Sequence, residues 1–497
     1  MITLSATGFG PAVVDELARR VVGRRVVVIG DAMVDDDVIG TVDRLSPEAP
    51  APVLRATSVR SGLGGAANAA AGLRALGVDV ALLAVVGDDH HGATLRALAV
   101  ADGIGCDHLL TRADRRTTVK QRLVDRGRQL ARIDFEDRDP IDSATVRQLL
   151  DGLDRVAADA VVVSDYGKGV VTDELLHGLV ERCGPHGIPL LVDPTVCDPA
   201  RYRGATVVKM NLTELDGVLG RPDHADLRTD GAIVSTATAA ETLRSDQGWP
   251  TLIVTLGEHG MLVCESGQMP TLVPTESVDV SDVSGAGDAA MAMQAACAVA
   301  GFDQVSAAGL ANVAGRVVVA RQGVRTADLA AIRAASRPTT AAAVDRAALI
   351  GAVADARARG ERVVVTNGCF DLLHGGHLGL LRFARAQGDR LVVLVDSDAS
   401  VRRLKGVDRP IRGQADRVET LAAVPDVDLI CVFDSVELPD LITALHPDVL
   451  VKGAEYDAEQ IVGADTVRAT GGTVRLAPMT PGLSTTRLAT PRPPLAP

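Results

Sequence analysis

The chain has 497 residues, so at least two domains are expected. It is 47% hydrophobic but only 2% aromatic, which predicts a large aliphatic core, and its net charge of −13 argues against broad binding to nucleic acid or anionic membranes. Seven cysteines without a Cys-x-x-Cys pair argue against a disulfide framework or a zinc ribbon. The N-terminus lacks a secretory signal pattern and no apolar run is long enough to span a bilayer, so we expect a cytoplasmic location.

The first two-thirds of the chain alternate short apolar runs with longer helical patterns. The runs are rich in Val and Leu and end in Gly, Asp, Asn or Pro, as buried parallel strands do. Because ligands collect at the carboxyl ends of such strands, the residues that follow them are candidate site residues. The predicted strands lie at 25–31, 80–88, 160–167, 189–194, 206–211 and 251–257.

A second series of short apolar runs follows an Ala-rich stretch that has no strand pattern. Its members lie at 362–368, 390–398, 429–435 and 449–453. The break between the two series predicts a first domain at 1–335, a linker at 336–345 and a second domain at 346–497. The alternation of strands and helices predicts an α/β fold for both domains.

The segment SDVSGAGDAA (281–290) places three small residues, Gly285, Ala286 and Gly287, before Asp288 and a helical run. Small residues let the backbone approach a phosphate closely, and the amides at a helix N-terminus favour negative charge. A carboxylate there would repel phosphate unless it has a task, such as taking the proton of an attacking hydroxyl. A plain glycine turn with an Asp cap remains open.

A second glycine-rich segment, GGAANAAAGLRALGVDVALLAVVG (64–87), lies upstream. Together the two segments resemble both signatures of the ribokinase-like (PfkB) carbohydrate kinases. The resemblance implies a ribokinase-like three-layer domain, ATP as phosphoryl donor and Mg²⁺, and it leaves a monovalent cation and a homodimer through this domain open.

The resemblance also implies roles for individual residues. It makes Asp288 the catalytic base and Gly285, Ala286 and Gly287 the anion hole. For Asn211 and Glu214 it implies magnesium binding through water, although capping of the next helix is an open alternative. It places sugar contacts at Asp35, Gly64, Gly65 and Asn68, and ATP contacts at Asn211, Glu214, Thr255, Gly257 and Asn312.

Longer strings narrow the resemblance to the bacterial D-beta-D-heptose 7-phosphate kinases: RLSPEAPAPV (44–53), VKQRLVDRGRQLARIDFED (119–137) and SDYGKGVVT (164–172). A sugar that already carries a phosphate requires basic side chains, and a basic run fits that need. An exposed pair of charged strands is the alternative. The run contains Lys120, Arg122, Arg126, Arg128 and Arg132.

This chain departs from the pattern of those kinases at two places. Asp35-Asp36-Asp37 stands where the family has Asp-Arg-Tyr, and Asp193-Pro194-Thr195-Val196 stands where it has Asp-Pro-Lys-Gly. These changes put the identity of the sugar and some phosphate contacts in question. Lys209, where the family often has Thr, is a candidate to compensate in part.

The segment TNGCFDLLHGGH (366–377) carries His374 and His377 between a predicted strand and a leucine-rich helix. It lacks the Glu of a HExxH zinc site and a nearby Cys pair, so a protease-like metal site is not indicated. The glycines leave room for a bulky anion beside a helix N-terminus, which predicts that both histidines donate to phosphate. Core packing of the two rings is the structural alternative.

The second domain resembles the HxGH nucleotidyltransferases of the cytidylyltransferase-like superfamily, whose second signature matches PGLSTTRL (481–488). The resemblance implies a Rossmann-like fold and phosphoryl-charge stabilisation by protonated His374 and His377, with Lys452, Arg417 and Lys405. It places nucleotide contacts at Asn367, Gly368, Phe370, Arg417, Ser484, Thr485 and Thr486.

Over about residues 20–488 the chain resembles the bifunctional D-beta-D-heptose 7-phosphate kinase / D-beta-D-heptose 1-phosphate adenylyltransferases. The resemblance implies two ATP-dependent steps toward ADP-heptose, a precursor of the lipopolysaccharide core, with sugar phosphates and ATP as the small-molecule partners. Two alternatives stay open: the same chemistry on another sugar phosphate or with CTP, and one domain retained as a non-catalytic nucleotide sensor.

Overall fold

The computed structural model describes residues 3–4, 10–194, 198–221, 227, 230–276, 278–321, 323, 326–336, 341–358, 360–454 and 461–478. The chain divides into two compact units, Met1–Ser336 and Arg337–Pro497. The sequence predicted the end of the first domain at residue 335. No helix in the described ranges combines the length and the apolar character that a membrane crossing requires.

The first unit is built on two sheets. All six strands predicted for it from the sequence are confirmed, as β2, β5 and β9–β12 below. The strands are β1 (Thr3–Leu4), β2 (Arg25–Gly30), β3 (Ala32–Leu45), β4 (Pro52–Gly65), β5 (Asp79–Gly87), β6 (Leu109–Arg112), β7 (Thr118–Asp125), β8 (Arg128–Phe135), β9 (Ala160–Asp165), β10 (Leu190–Pro194), β11 (Val207–Asn211), β12 (Thr251–Thr255), β13 (Met261–Glu265) and β14 (Thr271–Val273).

Among the described residues, the large sheet has ten strands in the order β1-β14-β13-β12-β11-β10-β9-β2-β5-β6. Its centre is parallel, and only β13 runs antiparallel to its neighbours. The central strands are continuous apolar runs because helices cover both of their faces. Their carboxyl ends meet at one edge, where the predicted nucleotide residues Asn211 and Thr255 end β11 and β12.

The helices of the first unit form a layer on each face of the large sheet. The core on one face includes side chains of α1–α3 and α8–α10, and the core on the other includes α4–α7. This is the three-layer arrangement that the sequence predicted. The helices are α1 (Pro11–Arg20), α2 (Ala66–Ala75), α3 (His90–Ala101), α4 (Ser143–Asp154), α5 (Asp173–Cys183), α6 (Leu212–Val218), α7 (Asp230–Gln247), α8 (Ala286–Ala300), α9 (Gln304–Val319) and α10 (Leu329–Ala335).

The smaller sheet of this unit has the strand order β4-β3-β7-β8. Strands β3 and β4 pair along most of their length, and β3 runs parallel to β7, which forms a hairpin with β8. The basic run of the sequence therefore lies on β7, on β8 and in the turn between them. Side chains alternate between the two faces of the sheet, so only every second residue of the run shares a face.

The second unit has a parallel six-stranded sheet in the order β15-β18-β17-β16-β19-β20 within the described residues. Part of the predicted linker, Ala342–Ala343, forms the edge strand β15, which pairs with β18; two residues are too few to give a strand pattern in the sequence. The strands are β15 (Ala342–Ala343), β16 (Val363–Gly368), β17 (Arg390–Asp396), β18 (Leu429–Phe433), β19 (Val449–Gly453) and β20 (Thr473–Ala477).

Helices again cover both faces of this sheet. Side chains of α11, α15 and α16 contribute to the core on one face, and those of α12 and α14 to the core on the other, as in a Rossmann-like domain. The helices are α11 (Arg346–Ala358), α12 (Gly375–Arg385), α13 (Asp398–Lys405), α14 (Gln414–Ala422), α15 (Leu438–Leu445) and α16 (Ala464–Ala469).

Candidate active sites

The small-residue segment of the first unit forms the start of α8. Gly285 precedes the helix with φ 81°, a left-handed conformation that glycine adopts without strain, and Ala286 and Gly287 are the first helical residues. The first amides of a helix have no partner inside it; that of Ala286 donates to the Val283 carbonyl at 3.3 Å, which leaves the amides of Gly287 and Asp288 for an anion. The predicted anion hole is therefore the N-terminus of a 15-residue buried helix.

Asp288 lies in the first turn of α8 and is only 7% exposed. Its carboxylate accepts hydrogen bonds from Asn68 Nδ2 at 2.6 Å and from the Tyr166 hydroxyl at 2.5 Å. Burial raises its pKa to about 6, although the two hydrogen bonds act in the opposite direction. A carboxylate with a pKa near neutrality can take a proton from a sugar hydroxyl and later release it.

Tyr166 was not among the residues predicted from the sequence. It follows β9, and its backbone amide donates to the buried carboxylate of Asp31 at 2.8 Å. Asp31 also accepts from the amides of Lys168 and Val170, so it fixes the loop that carries the tyrosine. The signal was present in the string SDYGKGVVT, whose Tyr is the next-to-last residue of the strand predicted at 160–167.

Of the predicted sugar-binding residues, Asn68 contacts Asp288 directly, and Asp35, Lys120 and Arg122 lie on neighbouring strands of the small sheet. Arg122 donates to Asp35 at 2.6 Å, and the Lys120 ammonium lies 5.0 Å from the centre of the Tyr166 ring. Burial lowers the pKa of Lys120. A Cβ atom at Gly64 would lie 2.4 Å from Asp35 Oδ2, so any larger residue there would displace this carboxylate.

The four-stranded sheet aligns a row of charged residues across its strands. Arg60, Asp37, Arg122 and Arg132 are successive cross-strand partners on β4, β3, β7 and β8. The sequence analysis did not select Arg60 because it lies some 60 positions before the basic run. Only the pairing of β4 with β3 brings it into this row. Arg132 is half exposed and pairs with Asp134 at 2.8 Å.

The outer members of the basic run lie away from this row. Arg126 is in the hairpin turn with φ 47°, and Arg128 begins β8; both are exposed. The structure thus groups Lys120, Arg122 and Arg132 by strand alternation and leaves the other two at the tip of the hairpin.

Asn211 and Glu214 form a capping box at the start of α6. Asn211 Oδ1 accepts from the Glu214 amide at 2.8 Å, and Glu214 Oε2 accepts from the Asn211 amide at 2.7 Å. The predicted capping is therefore confirmed, and it does not exclude magnesium binding through water by the same two residues. Burial raises the pKa of Glu214.

The remaining nucleotide candidates of the first unit lie on neighbouring elements. Thr255 ends β12 and is the cross-strand partner of Asn211, and Gly257 follows with φ 60°. Asn312 of α9 is buried and donates through Nδ2 to the Val273 carbonyl at 2.9 Å. Its amide nitrogen thus holds the end of β14.

In the second unit, both histidines lie where β16 leads into α12. His374 is the N-cap of α12, and its Nδ1 accepts from the Gly376 amide at 3.1 Å. The two imidazole rings stack with centroids 4.0 Å apart, and the Phe370 ring lies 5.3 Å from that of His377. The pair therefore stands at the carboxyl edge of a parallel sheet beside a helix N-terminus, as predicted.

The expectation that these histidines are protonated needs correction for the ligand-free protein. Burial, with the neighbouring His374, lowers the pKa of His377 to about 4, and burial also lowers the pKa of His374. Two imidazoles stacked in a half-buried site do not both carry charge at neutral pH. Both are therefore neutral hydrogen-bonding groups in the ligand-free protein.

The predicted cations of this site differ in their surroundings. Lys452 on β19 donates to the Asn367 carbonyl at 2.9 Å, across two neighbouring strands. Lys405 is the last residue of α13 and is exposed. Asn367 and Gly368 are the last two residues of β16 and are partly buried.

Arg417 is engaged inside the protein instead of facing an open site. It is 1% exposed and donates to the Cys369 carbonyl at 2.5 Å, the Arg412 carbonyl at 3.1 Å and Asp398 Oδ1 at 2.7 Å. In this arrangement it orders the loop that follows β16. The predicted residues Ser484, Thr485 and Thr486 lie outside the described residues.

Two family models match the chain in the order of its two units. The pfkB family carbohydrate kinase model matches residues 24–331, and the cytidylyltransferase-like model matches residues 365–489. Solved structures show the same fold for the first unit. Arabidopsis thaliana ribokinase complexed with ribose and ATP has a TM-score of 0.51 at 18% identity, covering 64% of this chain and 99% of that chain.

A second structure agrees: phosphofructokinase-2 from Escherichia coli in complex with potassium has a TM-score of 0.53 at 18% identity, covering 63% of this chain and 98% of that chain. Fold, site and family models thus define the class: a carbohydrate kinase of ribokinase-like fold joined to a nucleotidyltransferase domain.

Relatives that span both domains specify the family. The bifunctional protein HldE of Caulobacter vibrioides is 41% identical, covering 95% of this chain and 97% of its own length. That of Halorhodospira halophila is 43% identical over 93% of this chain and 96% of its own length. The chain belongs to the family of bifunctional HldE proteins.

Proposed function

We propose that the first unit transfers the γ-phosphoryl group of ATP to the anomeric hydroxyl of D-beta-D-heptose 7-phosphate, and that the second joins AMP from ATP to D-beta-D-heptose 1-phosphate, releasing pyrophosphate. A separate phosphatase removes the 7-phosphate between the two steps. The proposal is supported by membership of the HldE family over both domains and by the strings that resemble heptose enzymes.

The observation that carries the kinase half is Asp288. Its carboxylate is buried at the start of α8, is held by Asn68 and Tyr166, and has a pKa of about 6. In the reaction it accepts the proton of the anomeric hydroxyl as that oxygen attacks the γ-phosphorus. The amides of the helix N-terminus stabilise the charge on the phosphoryl oxygens, and the bond to ADP breaks.

The basic face of the small sheet positions the sugar phosphate. Arg122 and Lys120 lie on the face that carries Asp35, with Arg60 and Arg132 in the adjoining row. Guanidinium groups bind phosphate oxygens in pairs of hydrogen bonds, so this row fits the phosphate at the far end of the sugar. The carboxylates of Asp35 and Asp37 fit sugar hydroxyls between them.

Magnesium is the metal that this site fits. No cluster of three or more His, Cys, Asp and Glu side chains with metal-binding geometry occurs in the described ranges. Glu214 and Asn211 supply a small oxygen set, and Mg²⁺ commonly takes its other ligands from water and substrate phosphates. These two residues would hold the ion through water, where it would offset phosphate charge.

In the second unit, we assign His374, His377 and Lys452 to the α-phosphate of ATP. The α12 N-terminus and the imidazole N–H groups donate to the phosphoryl oxygens while the sugar phosphate attacks the α-phosphorus. The chain forms no covalent intermediate in this scheme. Holding the two reactants in line supplies much of the rate.

A homodimer through the small sheet is part of the proposal, as is a cytoplasmic location. Val59, Ile133 and Phe135 share one face of that sheet and are 60%, 42% and 41% exposed. Exposed apolar side chains grouped on a sheet favour association with a second copy. Sedimentation of the wild type beside Ile133→Asp tests this: the variant is expected to sediment as a monomer.

Mass spectrometry of the products tests the function directly. Purified protein with ATP, Mg²⁺ and heptose 7-phosphate should yield the 1,7-bisphosphate, and ADP-heptose only when the phosphatase is added. A panel of other sugar phosphates and of CTP, GTP and UTP tests the alternatives. If another sugar phosphate reacts at least tenfold faster than heptose 7-phosphate, that sugar phosphate is the substrate. If another nucleotide reacts at least tenfold faster than ATP, that nucleotide is the donor.

A further inference from the structure

A buried lysine, Lys209, lies beside the first turn of α8. It is the third residue of β11, is 4% exposed, and its side chain is on the face that α8 covers. Its ammonium lies 2.8 Å from Asp193 Oδ2 and 3.3 Å from the Gly287 carbonyl. A lysine ammonium has three N–H groups, so these two contacts leave one for a ligand.

Stability alone gives a weak reason for this ion pair. Removing an ammonium and a carboxylate from water costs about as much as their attraction returns, so buried ion pairs are often replaceable by apolar residues. Both partners are buried at the carboxyl edge of the sheet, where ligands bind. The position of the pair therefore indicates a role in the reaction.

The charges around Lys209 show what that role requires. Asp193, Glu214 and Asp288 all act on it electrostatically and raise its pKa against the effect of burial, so it stays protonated. A triphosphate bound at the start of α8 would be repelled by the same three carboxylates. The helix N-terminus contributes only partial charge, so a full positive charge beside Gly287 is needed to offset them.

We propose that Lys209 is a catalytic residue of the kinase site, whose ammonium donates to an oxygen of the transferring phosphoryl group. Asp193 and the Gly287 carbonyl hold the ammonium in place. The oxygen–phosphorus bond to the sugar forms as the bond to ADP breaks, and the hydroxyl proton goes to Asp288. Lys209 remains protonated throughout. This inference rests on the proposed kinase function.

The first test compares Lys209→Met with Lys209→Arg in the full chain. Methionine keeps the length and removes the charge, and we expect the kcat for sugar phosphorylation to fall about 10²- to 10³-fold. Arginine keeps the charge, so the kcat of Lys209→Arg is expected to be at least tenfold higher than that of Lys209→Met. Adenylyl transfer by the same protein should be unchanged, since His374, His377 and Lys452 lie in the other unit.

The second test needs no sugar substrate. We expect Lys209→Met to weaken binding of ADP with Mg²⁺ and aluminium fluoride, a mimic of the transferring phosphoryl group, about 100-fold. Binding of ADP with Mg²⁺ alone should change less than threefold. Binding to the kinase site is measured in proteins that also carry His377→Ala, which removes the second nucleotide site. The His377→Ala single variant is the control.

Three outcomes would overturn the proposal. They are a kcat within threefold of wild type in Lys209→Met, equal weakening of both ligands, or a kinase unit that does not fold without the lysine, which would make Lys209 structural. If the wild-type protein phosphorylates no sugar, the proposed kinase function is wrong. The aluminium fluoride comparison would still decide the role of Lys209.

Discussion

Asp288 illustrates how one residue acquires its chemistry from its surroundings. Hydrogen bonds from Asn68 and Tyr166 favour its charged form, yet burial disfavours that form more strongly and raises its pKa to about 6. The group therefore changes protonation just below neutral pH. A general base works best when its pKa lies near the working pH.

The rate of phosphorylation should follow this titration. Because the base must be deprotonated, we expect kcat/KM to rise as the pH increases through about 6 and then to level off. Asp288→Asn cannot accept the proton and should lose about 10³-fold in kcat. A coupled assay of ADP release measures both effects.

Adenylyl transfer by Asp288→Asn serves as the control and should keep its wild-type rate. A phosphorylation rate that is flat between about pH 5 and pH 8, or an Asp288→Asn chain with near wild-type activity, contradicts the assignment of Asp288 as base.

His377 should link nucleotide binding to proton uptake. Its pKa is about 4 in the ligand-free protein, and phosphate placed beside the imidazole raises that pKa. We therefore expect the KM for ATP in adenylyl transfer to fall as the pH is lowered from about 8 to about 6. Pyrophosphate release that depends on heptose 1-phosphate isolates this site from the kinase.

Two variants of His377 serve as controls for the dependence of KM on pH. His377→Ala should reduce adenylyl transfer about 10²- to 10³-fold and leave phosphorylation intact. His377→Asn keeps a hydrogen-bond donor that does not titrate, so its remaining activity should show no such dependence of KM on pH. A dependence that persists in His377→Asn would assign the proton to another group.

At the scale of elements, the end of β4 must pass close to the sugar site. A Cβ atom at Gly64 would lie 2.4 Å from Asp35 Oδ2 and 2.7 Å from the Met33 side chain, whereas one at Gly62 would have ordinary contact at 3.8 Å. Gly64→Ala should therefore displace Asp35 and raise the KM for the sugar at least tenfold. Gly62→Ala, two residues earlier on the same strand, should stay within about twofold.

Steady-state kinetics of the two alanine variants, with thermal unfolding of both, makes this comparison. Equal KM values for Gly64→Ala and wild type would show that the close approach of β4 to Asp35 does not shape the site.

The basic side chains of the small sheet differ in their exposure to solvent. Arg122 is mostly buried against Asp35, whereas Arg132 is half exposed and shares its charge with Asp134. A charged hydrogen bond is stronger away from water, so Arg122→Ala should raise the KM for the sugar phosphate about 10- to 100-fold. Arg132→Ala should raise it about threefold.

The two KM values, each measured at low and high salt, test this order. Only the smaller effect, that of Arg132, should shrink in salt, because exposed charges are screened. The reverse order would place the phosphate at the open end of the sheet.

At the scale of the whole molecule, the chain carries two catalytic units with separate cores. The proposed pathway requires the bisphosphate to leave the first unit, since a separate phosphatase acts before the second step. The two activities therefore need no shared chain. An equimolar mixture of Asp288→Asn and His377→Ala proteins should make ADP-heptose from heptose 7-phosphate at about the wild-type rate per intact site.

Product formation by this mixture, with phosphatase in excess, is compared with that of the wild type at the same concentration of each intact site. A mixture several-fold slower would indicate that the intermediate passes within one chain.

Local patterns were sufficient to predict the central strands and the turns that follow them. Asp288 and the two histidines were selected as candidates because small residues before a helix, or around a His pair, favour an anion site at a strand end. Tyr166, Arg60 and the pairing of Lys209 with Asp193 were not found. Each depends on a contact between residues far apart in the chain.

The sequence by itself determined the two α/β domains, their order and the chemistry of their motifs, because apolar periodicity and glycine placement are local properties of the chain. Only the tertiary structure decided the electrostatics: burial sets the pKa values of Asp288 and His377, and strand register selects which arginines share a face. It also decided that Arg417 lies inside the protein with three internal acceptors. Burial and register arise from long-range packing, which no short segment encodes.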